Sequence, residues 1–234
     1  MTLFAILALG FFLGMRHATD SDHVIAVTTI VSRAKSARAA LWVGALWGLG
    51  HSATILTVGG AIVLFGWVIP PRLGLSMEMS VAVMLIVLGA MNLSGALSRI
   101  DQVAKGHQHG GLEEVSVSVP HVHARAPLRP LLIGVVHGLA GSAAVALLVL
   151  TTIKSAGMAL LYLAIFGAGT MAGMMLLTLA MALPISAFSR RFANVEQLMA
   201  RVTGLVSIAF GLFLAYRIGV ADGLLLGVPH WSPR

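Results

Sequence analysis

Apolar residues gather into six long runs along the chain, separated by short polar gaps and one long one. The runs cover about 3–31, 39–68, 77–98, 128–153, 157–184 and 199–221. Each meets the roughly 20 mostly apolar residues that a helix needs to cross the hydrocarbon core of a bilayer. Several exceed that length, which predicts tilted or interrupted spans. Gly14, Gly48, Gly50, Gly138, Gly141, Gly167 and Gly169 give these runs small faces for close helix contact. The pattern predicts an all-α membrane protein with six transmembrane helices. The polar stretch 99–127, which carries His107, His109, His121 and His123, is expected to be a flexible cytoplasmic loop. The N-terminal run is apolar from Thr2 onward with no basic leader, so it reads as a first membrane helix rather than a signal peptide.

The two halves echo each other. Gly14-Met-Arg-His17 matches Gly134-Val-Val-His137, a shift of 120 positions, and Trp47-Gly48-Leu-Gly50 matches Phe166-Gly167-Ala-Gly169, a shift of 119. Leu88-Gly89 matches Phe210-Gly211, a shift of 122. The expectation is a duplicated three-helix unit: residues 1–98 form the first copy, 99–127 the connecting loop and 128–234 the second copy. An odd number of crossings inverts the second copy, giving the 3+3 inverted repeat typical of transporters.

Composition strengthens the membrane reading. Of 234 residues, 58% are hydrophobic and 10% charged, and the mean hydropathy is +0.96. Soluble domains carry about 25% charged residues, so lipid must serve as the solvent for much of this surface. The net charge of +7 would suggest nucleic acid in a soluble protein, but the basic residues lie in the gaps and no aromatic-interleaved basic patch exists. Nucleic-acid binding is therefore not expected. Ten Lys and Arg fall in the first, third and fifth gaps, four lie on the opposite side, and Arg16 sits within the first run. The positive-inside rule then predicts a multi-pass protein of the inner cell membrane with both termini outside. The absence of cysteine excludes disulfides and thiolate metal ligands.

Charge inside the first run changes the picture most. Arg16-His17-Ala18-Thr19-Asp20-Ser21-Asp22-His23 is flanked by Leu3–Met15 and Val24–Val31. A charged side chain at mid-membrane costs about 2.5–3.5 kcal/mol on insertion scales, so three charges and two imidazoles here point to function. Imidazole suits nickel, cobalt, zinc and copper, and carboxylates offset the charge of the ion. On a regular helix His17, Asp20 and His23 share one broad face while Asp22 points elsewhere; local unwinding would bring Asp22 in. Arg16 and Asp20 at i,i+4 could instead form a buried ion pair, which would leave Asp22, His17 and His23 unexplained. His51, within Gly50-His51-Ser52, is a further candidate ligand on the second helix. His137, the repeat mate of His17, is a candidate ligand, outer partner or hydrogen-bonding residue. Asn92 reads as an interhelical hydrogen-bonding group. Met171, Met174 and Met175 read as packing groups, and Trp42 and Trp67 as interface anchors. Ser142 beside Gly141 gives only a chance hint of a hydrolase, and the chain is expected not to be an enzyme.

The segment His17-x4-Asp22-His23, within Arg16–Val24, resembles the signature helix of the nickel/cobalt transporter (NiCoT) family, whose motif runs roughly Arg-His-Ala-Val/Phe-Asp-Ala-Asp-His-Ile. Gly50-His51-Ser52 resembles that family's second motif. The resemblance implies metal recognition by His17, Asp22 and His23, joined by Asp20 and His51. It is specific at about residues 14–24 and 48–54. Typical members have about eight helices and Asp-Thr motifs in the second half; here those places read Gly138-Leu-Ala-Gly141-Ser142 and Gly169-Thr170-Met171, without a carboxylate. Residues 132–145 look more like the short urease-accessory membrane proteins grouped with nickel transporters.

The resulting expectation is a secondary transporter with a metal site built from His17, Asp20, Asp22, His23, His51 and His137. Nickel or cobalt is its transported substrate, it has no resident cofactor, and a cytoplasmic metallochaperone is a candidate partner. Uptake is the expected direction; efflux on the same scaffold, or export of a small organic solute, are the alternatives. No P-loop is present, so the energy must come from a gradient or a partner.

Overall fold

A computed structural model describes residues 3–32, 36–67, 69–95, 128–153, 155–191 and 195–231. The expected loop over 99–127, with its four histidines, lies outside these residues. The described residues are helical and contain no strand: α1 (Leu3–His17), α2 (Ser21–Val31), α3 (Ala37–Phe65), α4 (Pro71–Leu93), α5 (Leu128–Thr152), α6 (Ala156–Arg191) and α7 (Val195–Tyr216). A wide π-helical turn, Arg217–Ala221, extends α7. Among the described residues, four stretches are long and apolar enough to cross a membrane: Ala37–Phe65, Pro71–Leu93, Ala156–Ile185 and Gln197–Ala221. The apolar stretches Phe4–His17, Ser21–Val31 and Leu128–Ala140 are shorter.

The first apolar run is two helices rather than one. The last turn of α1 tightens, with Thr19 N–H donating to Arg16 O at 2.8 Å and Asp20 N–H to His17 O at 3.1 Å. Asp20 is extended (φ −63°, ψ 150°) and the helix restarts at Ser21. Thr, Asp and Ser are residues that favour helix starts, so Thr19-Asp20-Ser21 supplies the interruption. The third run is also displaced. Its helix starts at Pro71, where proline suits the first helical position, and gives way to Gly95 in the left-handed region at φ 67°. Helix α3 ends the same way at Gly66, φ 63°.

The exterior is apolar, and the interior sets polar side chains among apolar packing. Phe12, Trp42, Trp67, Leu132, Leu205 and Leu212 are exposed, while His23, His51, His137, Asn92, Thr170 and Ser207 are buried. An apolar exterior is what lipid solvent demands. Helix α3 runs between α5 and α6, α1 lies on α6, and α4 lies on α7. Glycine sets these approaches. A Cβ on Gly14 would collide with the carbonyl oxygen of Phe166, and one on Gly134 with that of Trp47. Likewise Gly50 abuts the carbonyl of Leu131 and Gly169 that of Phe11, while Gly89 faces Ile208 and Gly211 faces Ile86. Each pair of contacts exchanges partners under the 119–122 residue shift seen in the sequence. Asn92 joins helices as expected: its Nδ2 donates to Thr29 O at 3.3 Å and to Thr203 Oγ1 at 3.1 Å, tying α4 to α2 and α7.

Candidate metal centre

The break between α1 and α2 does the positioning. It puts His17 at the last residue of one helix and Asp22 and His23 in the first turn of the next, so all three turn inward together. Helix α3 adds His51 and α5 adds His137; both are held close by Gly134 and Gly138, since Cβ atoms there would press on the backbone of Trp47 and His51. The structure thus brings together all six residues singled out from the sequence. Of the two geometries left open there, it adopts the unwound one, in which Asp22 faces the site.

His17, His23 and His51 form a triangle, with ring centroids 4.8, 5.1 and 5.3 Å apart. One nitrogen from each lies within 4.8 Å of the others. Nε2 of His17, Nε2 of His23 and both nitrogens of His51 are buried without a hydrogen-bond partner. The carboxylates take the outer nitrogens. Asp20 Oδ2 lies 2.8 Å from His17 Nδ1, and Asp22 Oδ1 lies 3.2 Å from His23 Nδ1. The other oxygen of Asp22 reaches His137 Nε2 at 2.9 Å. Asp22, His23 and His137 make a second close grouping that shares His23. His23, His51 and His137 are essentially inaccessible, whereas the side chain of Asp20 is 54% exposed.

The ion pair between Arg16 and Asp20 does not form. Helix α1 ends at His17, which removes the i,i+4 spacing, and Asp20 turns to His17 instead. Trp47 and Glu78 were not singled out for the site from the sequence. The Trp47 indole stacks on His23 at 6.2 Å and 18° and meets His137 edge-on at 5.7 Å. Glu78 lines a cavity of about 440 Å³ beside the centre, with His17, Asp20, Asp22, His23 and His137 on one side and α4, α7 and Arg217 on the other. His51 does not line this cavity and sits behind it. Glu78 is the second residue of the apolar run over 77–98 and looked there like an ordinary helix end; the helix starts at Pro71, which sets Glu78 two turns inside it.

An apolar exterior, spanning helices and a buried imidazole–carboxylate cluster define an integral membrane protein with a polar site inside it. The chain belongs to the family described as the cytochrome C biogenesis protein transmembrane region, whose model matches residues 5–213. It is similar to the urease accessory protein UreH of Bacillus sp. (strain TB-90), with 36% identity over 231 residues, 95% of each chain. No solved structure matches it.

Proposed function

We propose that this protein is a secondary transporter for nickel or cobalt, working by uptake across the cytoplasmic membrane. One observation carries the reading: three imidazoles face one another with buried nitrogens that no protein group satisfies. An unsatisfied buried polar atom costs roughly 1–3 kcal/mol, so three convergent ones ask for a shared partner. Each is an acceptor once its other nitrogen holds the proton, and a cation satisfies all three. Bonds of about 2.0–2.1 Å to imidazole put ligating nitrogens roughly 3.3 Å apart, a modest contraction from the spacing here. Asp20 and Asp22 then orient His17 and His23 through their Nδ1 atoms, as carboxylates do behind metal-bound histidines. His137 holds Asp22 from the opposite half of the chain.

The wider family reading agrees. The NiCoT-like motif covers the same residues, and a relative bears the name urease accessory protein, the group of short membrane proteins noted above. The absence of cysteine means that the family description brings no thiol chemistry to this chain. Reciprocal glycine contacts support six crossings arranged as an inverted 3+3 repeat, with α1 and α2 acting together as one broken span. Such breaks are typical of transporter ion sites. The cavity favours uptake, because it lies toward the start of α4 and the end of α7, the side that the positive-inside rule assigns to the exterior. On the opposite side the Asn92 hydrogen bonds join α2, α4 and α7. An inside-negative potential favours the arriving dication by roughly 4.6 kcal/mol per 100 mV.

The test is uptake of radioactive nickel and cobalt into proteoliposomes carrying an inside-negative potential. Wild type is expected to accumulate the ion, and His17→Ala and Asp22→Ala to fall to the level of empty vesicles. Full uptake by both variants would remove the centre from the pathway. Asp20→Ala should do less. Its carboxylate is half-exposed and orients rather than binds, so cobalt affinity is expected to weaken by about tenfold, the low end for an outer partner. A titration within twofold of wild type would free Asp20 of any role in orienting His17.

A further inference from the structure

The imidazole triangle accounts for a bare ion but leaves no room for its water. A six-water shell occupies roughly 180 Å³ at about 30 Å³ per molecule. The neighbouring cavity, about 440 Å³, holds that volume with room to spare. Asp20, Asp22 and Glu78 line it, with Arg217 as the guanidinium on its wall. Among the described residues that line it, three carboxylates and one guanidinium sum to two negative charges, which match a dication. His17, His23 and His137 also line this cavity; the free nitrogens of the first two belong to the triangle, and Nδ1 of the fully buried His137 is a further one without a partner. Glu78 comes from α4, which contributes nothing to the imidazole cluster. Its Oε1 accepts a hydrogen bond from the Trp231 indole N–H at 2.9 Å. The Trp231 ring rests over Gly74, one turn earlier in α4, where any Cβ would collide with it.

We propose that this cavity is an outer station for a hydrated divalent cation, and that Glu78 is the carboxylate that recruits it. The inference rests on the transport reading above. At this station the ion keeps its water and is held by charge; at the imidazole centre nitrogens replace the water. The two stations therefore select differently. Carboxylates around a hydrated ion respond to its charge, whereas imidazoles prefer the later transition metals. Magnesium, which gives up water reluctantly, occupies the outer station and goes no further.

Cobalt uptake kinetics in proteoliposomes, paired with equilibrium cobalt binding in detergent followed by visible absorption, test this. Glu78→Gln is expected to raise KM by about tenfold, the lower end of what electrostatic focusing supplies, with maximal rate and equilibrium affinity within about twofold of wild type. Glu78→Asp, which keeps the charge, should restore most of the loss. Millimolar magnesium at constant ionic strength should raise the wild-type KM without changing the maximal rate. A Glu78→Gln variant with wild-type KM overturns the station, as does a wild type indifferent to magnesium. Trp231→Phe removes the hydrogen bond and keeps the carboxylate, so its KM should stay near wild type. If it reproduces the Glu78→Gln shift, Glu78 merely anchors the segment around Trp231 and the station is overturned. A wild type that neither binds nor takes up cobalt sinks the transport reading and the station together, whereas normal transport with an inert Glu78 sinks the station alone.

Discussion

Replacing His51 with leucine is expected to abolish high-affinity metal binding and to leave the metal-free protein as stable as wild type, or more so. The two effects have opposite signs because of what His51 does not do. Both of its ring nitrogens are buried and unpartnered, and its side chain is fully enclosed. A structural histidine would be holding a neighbouring helix through a hydrogen bond, and its loss would destabilise. Here removal of two orphaned polar atoms relieves about 1–3 kcal/mol each, while leucine restores most of the packing volume. Binding should fall by more than the roughly 100-fold that marks the upper range for outer partners, since one of three nitrogens is gone. Thermal unfolding without metal and cobalt titration of the same preparation read the two effects separately. Destabilisation together with unchanged cobalt affinity would make His51 a packing residue and dissolve the triangle.

The apolar runs, the charge set within the first of them and the six side chains that the structure gathers could be picked out in the sequence, whereas the break in the first run and the start of the third at Pro71 could not. Those signals are local: an apolar run reports its solvent, and His or Asp within such a run reports a cost that must be offset. The division of labour was less legible. Sequence spacing put His17, Asp20 and His23 on one face and left Asp22 aside, because that inference assumes a continuous helix. The restart at Asp20 rotates α2 against α1, and only then does Asp22 lie between His23 and His137, reaching each with a separate oxygen. The residues Thr19-Asp20-Ser21 carried that signal as a helix start, but apolar sequence on both sides masked it. His137 illustrates the opposite limit. Its match to His17 marked it as special, yet its partner lies 115 positions away, and no local pattern names a contact at that distance. Glu78 was missed for a related reason: it becomes part of the site only because α7 and the π-helical turn close the other wall of the cavity.

Gly134→Val is expected to be among the most damaging single changes for folding, and to disturb the centre from outside it. A Cβ at Gly134 would drive into the carbonyl oxygen of Trp47 and lie 2.9 Å from Cδ1 of its ring. Backbone cannot swing aside as a side-chain tip can, so α5 and α3 must separate. Overpacking of this kind typically costs 1–3 kcal/mol and sometimes more; a β-branched side chain against a carbonyl belongs at the upper end. Trp47 stacks on His23, and His51 lies one turn further along the same helix, so the displacement carries into the imidazole triangle. Gly134→Val should therefore lower both the yield of folded protein in the membrane and the cobalt affinity of whatever folds. Gly157→Ala is the control. A Cβ there meets nothing within 4 Å, and alanine gains up to about 1 kcal/mol of helix propensity over glycine, so its melting temperature should match or exceed wild type. Equal behaviour of the two variants in a detergent melting series would mean that the α3–α5 contact does not set the spacing of the site.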